Sequence, residues 1–386
     1  MGLSSAVCIY CRKKFEPEET KPEHIVLAAL GGKKRSRSIV CSTCNGKLGS
    51  EIDRPLAESL AFARTMIGVP RKVRDQVSTE FTGAETGTTY RMRPNGQVEP
   101  RHPDVTEMPL EDGRGKKLRI RADRRAARRI LEKLSKNNDS LQIGEIRRTL
   151  SREPLEQSFQ LTPESRRCIA KMAFNFLAIA PELGSAVALS RAFDEVRQYV
   201  RDAGSPRDTP VRVVFPGPVG LEEANGGDCF NRIVVQCSSE SGLAVAWITL
   251  LGALSFSVLL SRQYDGVSGQ AMLRNYPLEK GADLITVEDP SPIAPDYLAD
   301  MSSAQEREAL RACTAQLLGI AQRHQYDRWL KRSIQDSFAE TAPTGITDEN
   351  AEDFARNLVS RIVEGLLPLG TKLEERYDSV EDLGEE

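Results

Sequence analysis

The spacing of apolar positions changes several times along the chain, and each change predicts a different element. From Ser42 or Thr43 into Arg64, the residues Leu48, Ile52, Leu56, Leu60 and Ala63 recur at spacings of three and four, the stripe of an amphipathic helix. Pro55 lies inside that stripe, where its missing N–H and its ring bend a helix or break it in two. TTYRMR and QVEP flank Pro94-Asn95-Gly96 and read as two short strands joined by an Asn-Gly hairpin turn. Pro100, Pro103 and Pro109 keep the next stretch irregular. LRIRAD then leads into a helix from about Asp123 to Lys136, with Ala126, Ala127, Ile130, Leu131 and Leu134 on one face and Arg124, Arg125, Arg128, Arg129 and Lys133 on the other.

Thr162, ahead of Pro163 and Glu164, is a helix N-cap, and the stretch from Pro181 to Gly184 divides the helical run that reaches Arg201. VRVVF, NRIVVQCS, LAVAWITL and LSFSVLLS are rich in β-branched and aromatic residues between Gly, Pro and Ser clusters, and read as strands. The run from Leu243 to Leu260 has no charge over 18 residues, the lower edge of a membrane span. Thr249, Gly252, Ser255 and Ser257 interrupt it and no basic cluster flanks it, so two buried strands turning near Leu251 and Gly252 are expected instead. Helical periodicity returns from about Ser303 to Phe338 and from Thr347 to Tyr377.

This pattern predicts an α+β protein in four segments. Residues 1–70 form a small cysteine-containing domain, 71–139 a basic β-hairpin and helix, 140–300 a mixed helix and strand module, and 301–386 a helical segment with an acidic tail. With 28% charged and 40% hydrophobic residues, the chain suits a soluble globular protein and excludes collagen, coiled-coil arrays and wholesale disorder. The 53 Lys and Arg nearly balance the 55 Asp and Glu, so any affinity for nucleic acid must rest on local asymmetry. Such asymmetry exists: residues 113–137 hold eleven basic side chains against two acidic ones. The amino-terminal stretch lacks the charged and apolar regions of a secretory signal, which makes a reducing cytoplasm the expected location. In that compartment closely paired cysteines are metal ligands before they are disulfides.

Four of the eight cysteines form two such pairs, Cys8-x-x-Cys11 and Cys41-x-x-Cys44, with 29 residues between Cys11 and Cys41. Two thiolate knuckles supply the four soft ligands that tetrahedral Zn²⁺ takes at about 2.3 Å. A closed four-thiolate zinc has no open position, so it braces the fold and the chemistry lies elsewhere. Between the knuckles stand Glu23 and His24, and Asn45 comes directly after the second knuckle. Lys33, Lys34, Arg35 and Arg37, with Lys47 beyond Asn45, surround these residues with positive charge suited to phosphate contacts.

CIYC followed by KPEHIVLAALGGKKRSRSIVCSTCNGKLGSEID resembles an HNH endonuclease with two CxxC pairs and an EHI..ALGG core, over roughly residues 8 to 55. The resemblance implies a zinc-braced ββα-metal domain in which a short hairpin carries His24 and the helix after it presents Asn45. It implies that His24 is the general base, and that Glu23 and Asn45 hold one Mg²⁺ or Mn²⁺. It implies too that DNA phosphodiesters are hydrolysed to 5′-phosphate and 3′-hydroxyl ends. Ser38 falls where the family usually has Asn, so a hydroxyl would orient the loop or the base, and Leu27 stands where the family commonly has Pro. Imidazole chemistry agrees with a base working near neutral pH. Few aromatic residues accompany the basic ones, which points to double-stranded DNA rather than a single-strand stacking platform.

The alternative is a catalytically silent zinc-binding module that recruits nucleic acid or a protein. Residues 140–386 contain no Walker loop, dinucleotide fingerprint or GxSxG setting, which leaves them a targeting, sensing or oligomerisation role through a protein partner or a second copy.

Overall fold

The computed structural model describes residues 5–70, 79–92, 98–109, 116–122, 124–137, 146–151, 155–156, 161–202, 209–215, 229–280, 283–288, 302–366 and 372–377. Its compact units are interleaved in sequence. One gathers Met1–Asp75 with Phe159–Ala321, the other Gln76–Ser158 with Gln322–Glu386.

The first unit is built on a six-stranded antiparallel sheet. Its spatial order runs Val211–Val213, Leu254–Ser261, Leu243–Leu250, Asn231–Ser238, Gly269–Asn275, Leu284–Glu288. The uncharged run is thus a hairpin of two buried strands, turning where Leu251 and Gly252 adopt positive φ. Among the described residues no helix is long and apolar enough to cross a membrane.

Against this sheet packs the helix Pro163–Ile179. Thr162 caps it by accepting a hydrogen bond from the Ser165 backbone N at 3.2 Å, and Pro163 occupies the first turn, where no intrahelical N–H is needed. It is buried over most of its length because it is covered on two sides, by the sheet and by the Gly49–Asp53 turn with the Arg54–Ser59 helix. It ends at Ala180, ahead of Pro181, and the short helix Gly184–Ala188 comes next.

The amino-terminal part of this unit has two tiny hairpins, Ala6–Val7 with Lys14–Phe15 and Glu23–His24 with Arg35–Ser36, and then a broken helix. The helical stripe is realised in pieces: Ser42–Leu48, a π-helical turn Gly49–Asp53, Arg54–Ser59 and Ala61–Ile67. Pro55 sits in the first turn of its piece, and the widened turn just before it accommodates the missing donor. Leu48, Ile52, Leu56, Leu60 and Ala63 are all buried.

The second unit has two four-stranded antiparallel sheets. One orders Leu155–Glu156, Thr79–Gly83, Thr89–Met92, Val98–Pro100; the other Ile146–Ser151, Lys372–Tyr377, Lys116–Ala122, Asp104–Pro109. Thr89–Met92 pairs with Val98–Pro100 as the hairpin reading expects, while the Pro94-Asn95-Gly96 turn lies outside the described residues. Helix Arg124–Asn137 lays Ala126, Ala127, Ile130, Leu131 and Leu134 on Ile120 and Ala122. Arg128 and Arg129 are exposed, and the side chains of Arg124 and Arg125 lie outside the described set. The part of helix Ser303–Thr341 from Gln322 onward belongs to this unit and meets Ala351–Leu366 through the Phe338–Phe354 ring pair, at 4.6 Å between centroids.

Two expectations fail here. The proline-marked stretch after Arg101 is not irregular, because Asp104–Pro109 is a strand at a sheet edge, where a missing N–H leaves no ladder bond unmade. Helical structure does not run to Tyr377 either: the helix ends at Leu366, ahead of Pro368 and Gly370 in the sequence, and Lys372–Tyr377 joins a sheet. The acidic tail after Tyr377 lies outside the described residues.

Candidate active site and metal centre

Cys8 opens a tight turn in which Arg12 N bonds back to Cys8 O at 2.9 Å, with Arg12 at φ 58°. Cys41 is the N-cap residue of Ser42–Leu48, so Cys44 falls within that helix's first turn. Ile9 N bonds Ile39 O at 2.9 Å and ties the knuckles together. The four sulfurs lie within 4.8 Å of one another, and Cys11 Sγ is 3.7 Å from Cys41 Sγ. A tetrahedron with arms of about 2.3 Å has edges of about 3.8 Å, so the donor set fits zinc. The thiol of Cys44 donates to Cys8 and draws its pKa down to about 4, while Cys44 and Cys11 are driven up, so Cys8 is the thiolate that the other sulfurs stabilise.

A cleft of about 630 Å³ opens beside this centre, lined by Glu23, His24, Asn45 and Asp53 together with Lys21, Ala28 and Arg54. The hairpin register sets Glu23 opposite Ser36 and His24 opposite Arg35. His24 is half-buried. Asn45 Nδ2 donates to Lys21 O at 3.0 Å, which fixes the amide and leaves Oδ1 as the acceptor.

Glu23 is 4% exposed, and its Oε1 accepts from Lys171 Nζ at 2.5 Å and Asn175 Nδ2 at 3.0 Å. Lys171 also donates to Asp53 Oδ2 at 2.6 Å. Burial pulls the Lys171 ammonium down, but Asp53 and Glu23 together hold it above the ordinary lysine value, and it stays charged. Burial raises Glu23 against the pull of Lys171. Lys171 and Asn175 belong to no motif in the sequence, while Asp53 ends the stretch that resembles an HNH endonuclease but has no role assigned there. The signal of Lys171 and Asn175 is a polar pair four apart within the otherwise apolar CIAKMAFNFLAIA.

Ser38 is not among the cleft-lining residues; its Oγ lies 3.1 Å from Ser36 Oγ on the exposed side of the loop. The basic residues divide. Lys34, Arg35, Arg37 and Lys47 are exposed, Arg37 donating to Thr20 O at 2.7 Å and Lys47 standing 3.9 Å from Asp202. Lys33 instead gives its ammonium to the carbonyls of Tyr276 at 3.1 Å and Glu279 at 2.7 Å, contacts that make it part of the framework.

The Gly-Gly turn shows why these residues must be glycine. Gly31 has φ 83°, and a Cβ there would lie 2.7 Å from Pro277 Cβ; one at Gly32 would lie 2.0 Å from Val26 O. Asn231 donates to Leu30 O at 2.8 Å, Asn275 to Gly31 O at 3.0 Å, and Asp283 Oδ2 accepts from Lys33 N and Lys34 N. Arg197 donates to Ile9 O at 2.6 Å inside the first knuckle. The strands and helices after residue 160 therefore grip the cysteine domain at the knuckle, at the cleft and at the glycine turn.

Residues 8–61 match the family model described as HNH endonuclease, so the chain carries an HNH domain with a cysteine cluster, and a domain of this kind implies a nucleic-acid substrate. No curated protein and no solved structure matches the chain.

Proposed function

We propose that this protein is a metal-dependent endonuclease that hydrolyses DNA phosphodiester bonds in the cleft between Glu23, His24 and Asn45. The observation that carries the reading is the convergence of those three side chains on one cleft inside the segment that matches the HNH family. His24 takes the proton from the attacking water as general base. Glu23 and the free Oδ1 of Asn45 hold a Mg²⁺ or Mn²⁺, consistent with the hard-oxygen donors that such cations prefer. When bound, that cation supplies charge stabilisation at the scissile phosphate and the leaving oxygen.

Cys8, Cys11, Cys41 and Cys44 hold a structural zinc that keeps the hairpin and the Ser42–Leu48 helix at a fixed distance. Lys34, Arg35, Arg37 and Lys47 neutralise backbone phosphates of double-stranded DNA, which calls for little sequence preference. Ser38 serves this site only through the loop that carries Ser36.

One observation favours the second reading, a silent zinc-binding module: Glu23 is buried and already paired with Lys171. The two separate in a plasmid assay. Supercoiled DNA with Mg²⁺ or Mn²⁺ is nicked or linearised by the wild type, and EDTA or His24→Ala abolishes this at about one zinc per chain; His24→Ala activity equal to wild type removes the base assignment.

A further inference from the structure

Helix Pro163–Ile179 presents Cys168, Lys171 and Asn175 at spacings of three and four, hence on one face. Lys171 is 1% exposed and Asn175 is fully buried. The lysine bridges Glu23 Oε1 and Asp53 Oδ2, and Cys168 Sγ reaches Asp53 Oδ1 at 3.3 Å. Asn175 completes a chain toward the metal centre: its Nδ2 donates to Glu23 Oε1, and its Oδ1 accepts from Tyr10 Oη at 2.8 Å, Tyr10 lying between Cys8 and Cys11.

Burying an ammonium with its carboxylates costs several kcal/mol of desolvation per ion, and an apolar side chain of similar volume fills such a position at equal or lower cost. What the ammonium and the amide add is fixed geometry. Both of their contacts to Glu23 fall on Oε1, so neither takes Oε2, and the lysine joins Glu23 to Asp53, two of the acidic residues that line the cleft. Partners that orient a metal-ligating carboxylate in this way typically set metal affinity.

We propose that Lys171 and Asn175, from outside the HNH segment, are positioning residues of the nuclease site: they clamp Glu23 Oε1 so that Oε2 faces the cation, and Lys171 holds Asp53 beside it as a further acidic residue of the cleft. This rests on the cleft being the cation site of the proposed nuclease. The HNH segment alone is then an incomplete site, and the module carboxy-terminal to it is part of the active centre.

The test uses the full-length chain. Mn²⁺ binding is monitored by the electron spin resonance signal of the free ion, with plasmid cleavage, zinc content and thermal unfolding measured in parallel. Lys171→Met is expected to raise the half-saturating Mn²⁺ concentration about tenfold or more with zinc retained, and Lys171→Arg to recover part of it. Because Lys171→Met leaves two carboxylates without their cation and can fail to fold, Asn175→Leu combined with Tyr10→Phe, which removes the amide and its hydroxyl donor together, is expected to weaken Mn²⁺ in the same direction. An unchanged or tighter Mn²⁺ response in whichever of these folds with its zinc overturns the positioning role.

The outcomes separate the two readings. A wild type that binds Mn²⁺ without cutting DNA removes the nuclease and leaves the clamp to be decided by the Mn²⁺ data. A wild type that cuts, with variants that bind Mn²⁺ as it does, removes the clamp and leaves the nuclease. A wild type that binds no Mn²⁺ overturns the clamp with the site it serves.

Discussion

The segment from Cys8 to Asp53 supplies residues that line the cleft and the helix Pro163–Ile179 pairs with two of its carboxylates, yet only the first announces itself in the sequence. The first is a set of knuckles, where cysteine spacing is dictated by a metal radius and glycine by a turn. The second is a buried helix whose Lys171 and Asn175 are ordinary until their partners are known. What separates them is range: ligands within a motif lie within a few dozen residues, whereas Lys171 finds Glu23 and Asp53 across more than a hundred. Local spacing reports chemistry that the chain completes locally, and is silent about chemistry completed by tertiary packing.

The comparison breaks most severely at the metal centre. Cys44→Ser is expected to lose the zinc and to unfold the knuckles, since a structural zinc of this kind contributes on the order of 10 kcal/mol to folding. Metal analysis with thermal unfolding checks it, and a folded, zinc-free variant would show that the cysteines are core residues only.

A smaller effect tests the module's grip on the glycine turn. Asn231 donates to Leu30 O and accepts from Leu251 N at 3.0 Å, in full burial. Asn231→Leu orphans both groups and is expected to cost about 3 kcal/mol, read as a lower denaturant midpoint at an unchanged slope. No shift would mean that the turn holds its shape without the sheet.

The smallest effect sharpens the comparison within the basic loop itself. Lys34→Ala and Arg35→Ala are each expected to weaken DNA binding and to flatten its dependence on log salt by about one phosphate contact. Lys33→Ala, whose ammonium is spent on the Tyr276 and Glu279 carbonyls, is expected to lower stability by about 1 kcal/mol and leave the salt slope alone. Salt titrations of the three variants decide between adjacent residues of identical chemistry.

Much of the fold was legible where periodicity is local. The Thr162 cap, the hairpin turning at Leu251 and Gly252 and the apolar stripe of Arg124–Asn137 all arise from neighbouring residues. The strand Lys372–Tyr377 was not, because KLEERY has no apolar alternation of its own and becomes a strand by pairing with Ile146–Ser151 and Lys116–Ala122. In the cleft, Glu23, His24 and Asn45 were found from their order around the knuckles, while Asp53 was read only as part of a helix. Lys33 and Lys34 look alike in sequence and differ only through segments some 240 residues away.

The most direct measurement is anomalous diffraction from crystals of the full-length protein soaked in Mn²⁺, with data at the zinc and manganese edges. The account predicts one zinc among Cys8, Cys11, Cys41 and Cys44, and one manganese in the cleft, touching Glu23 Oε2 and Asn45 Oδ1 while Lys171 keeps its contact with Oε1. A manganese bound away from these oxygens, or a cleft that stays empty at saturating Mn²⁺, would contradict it.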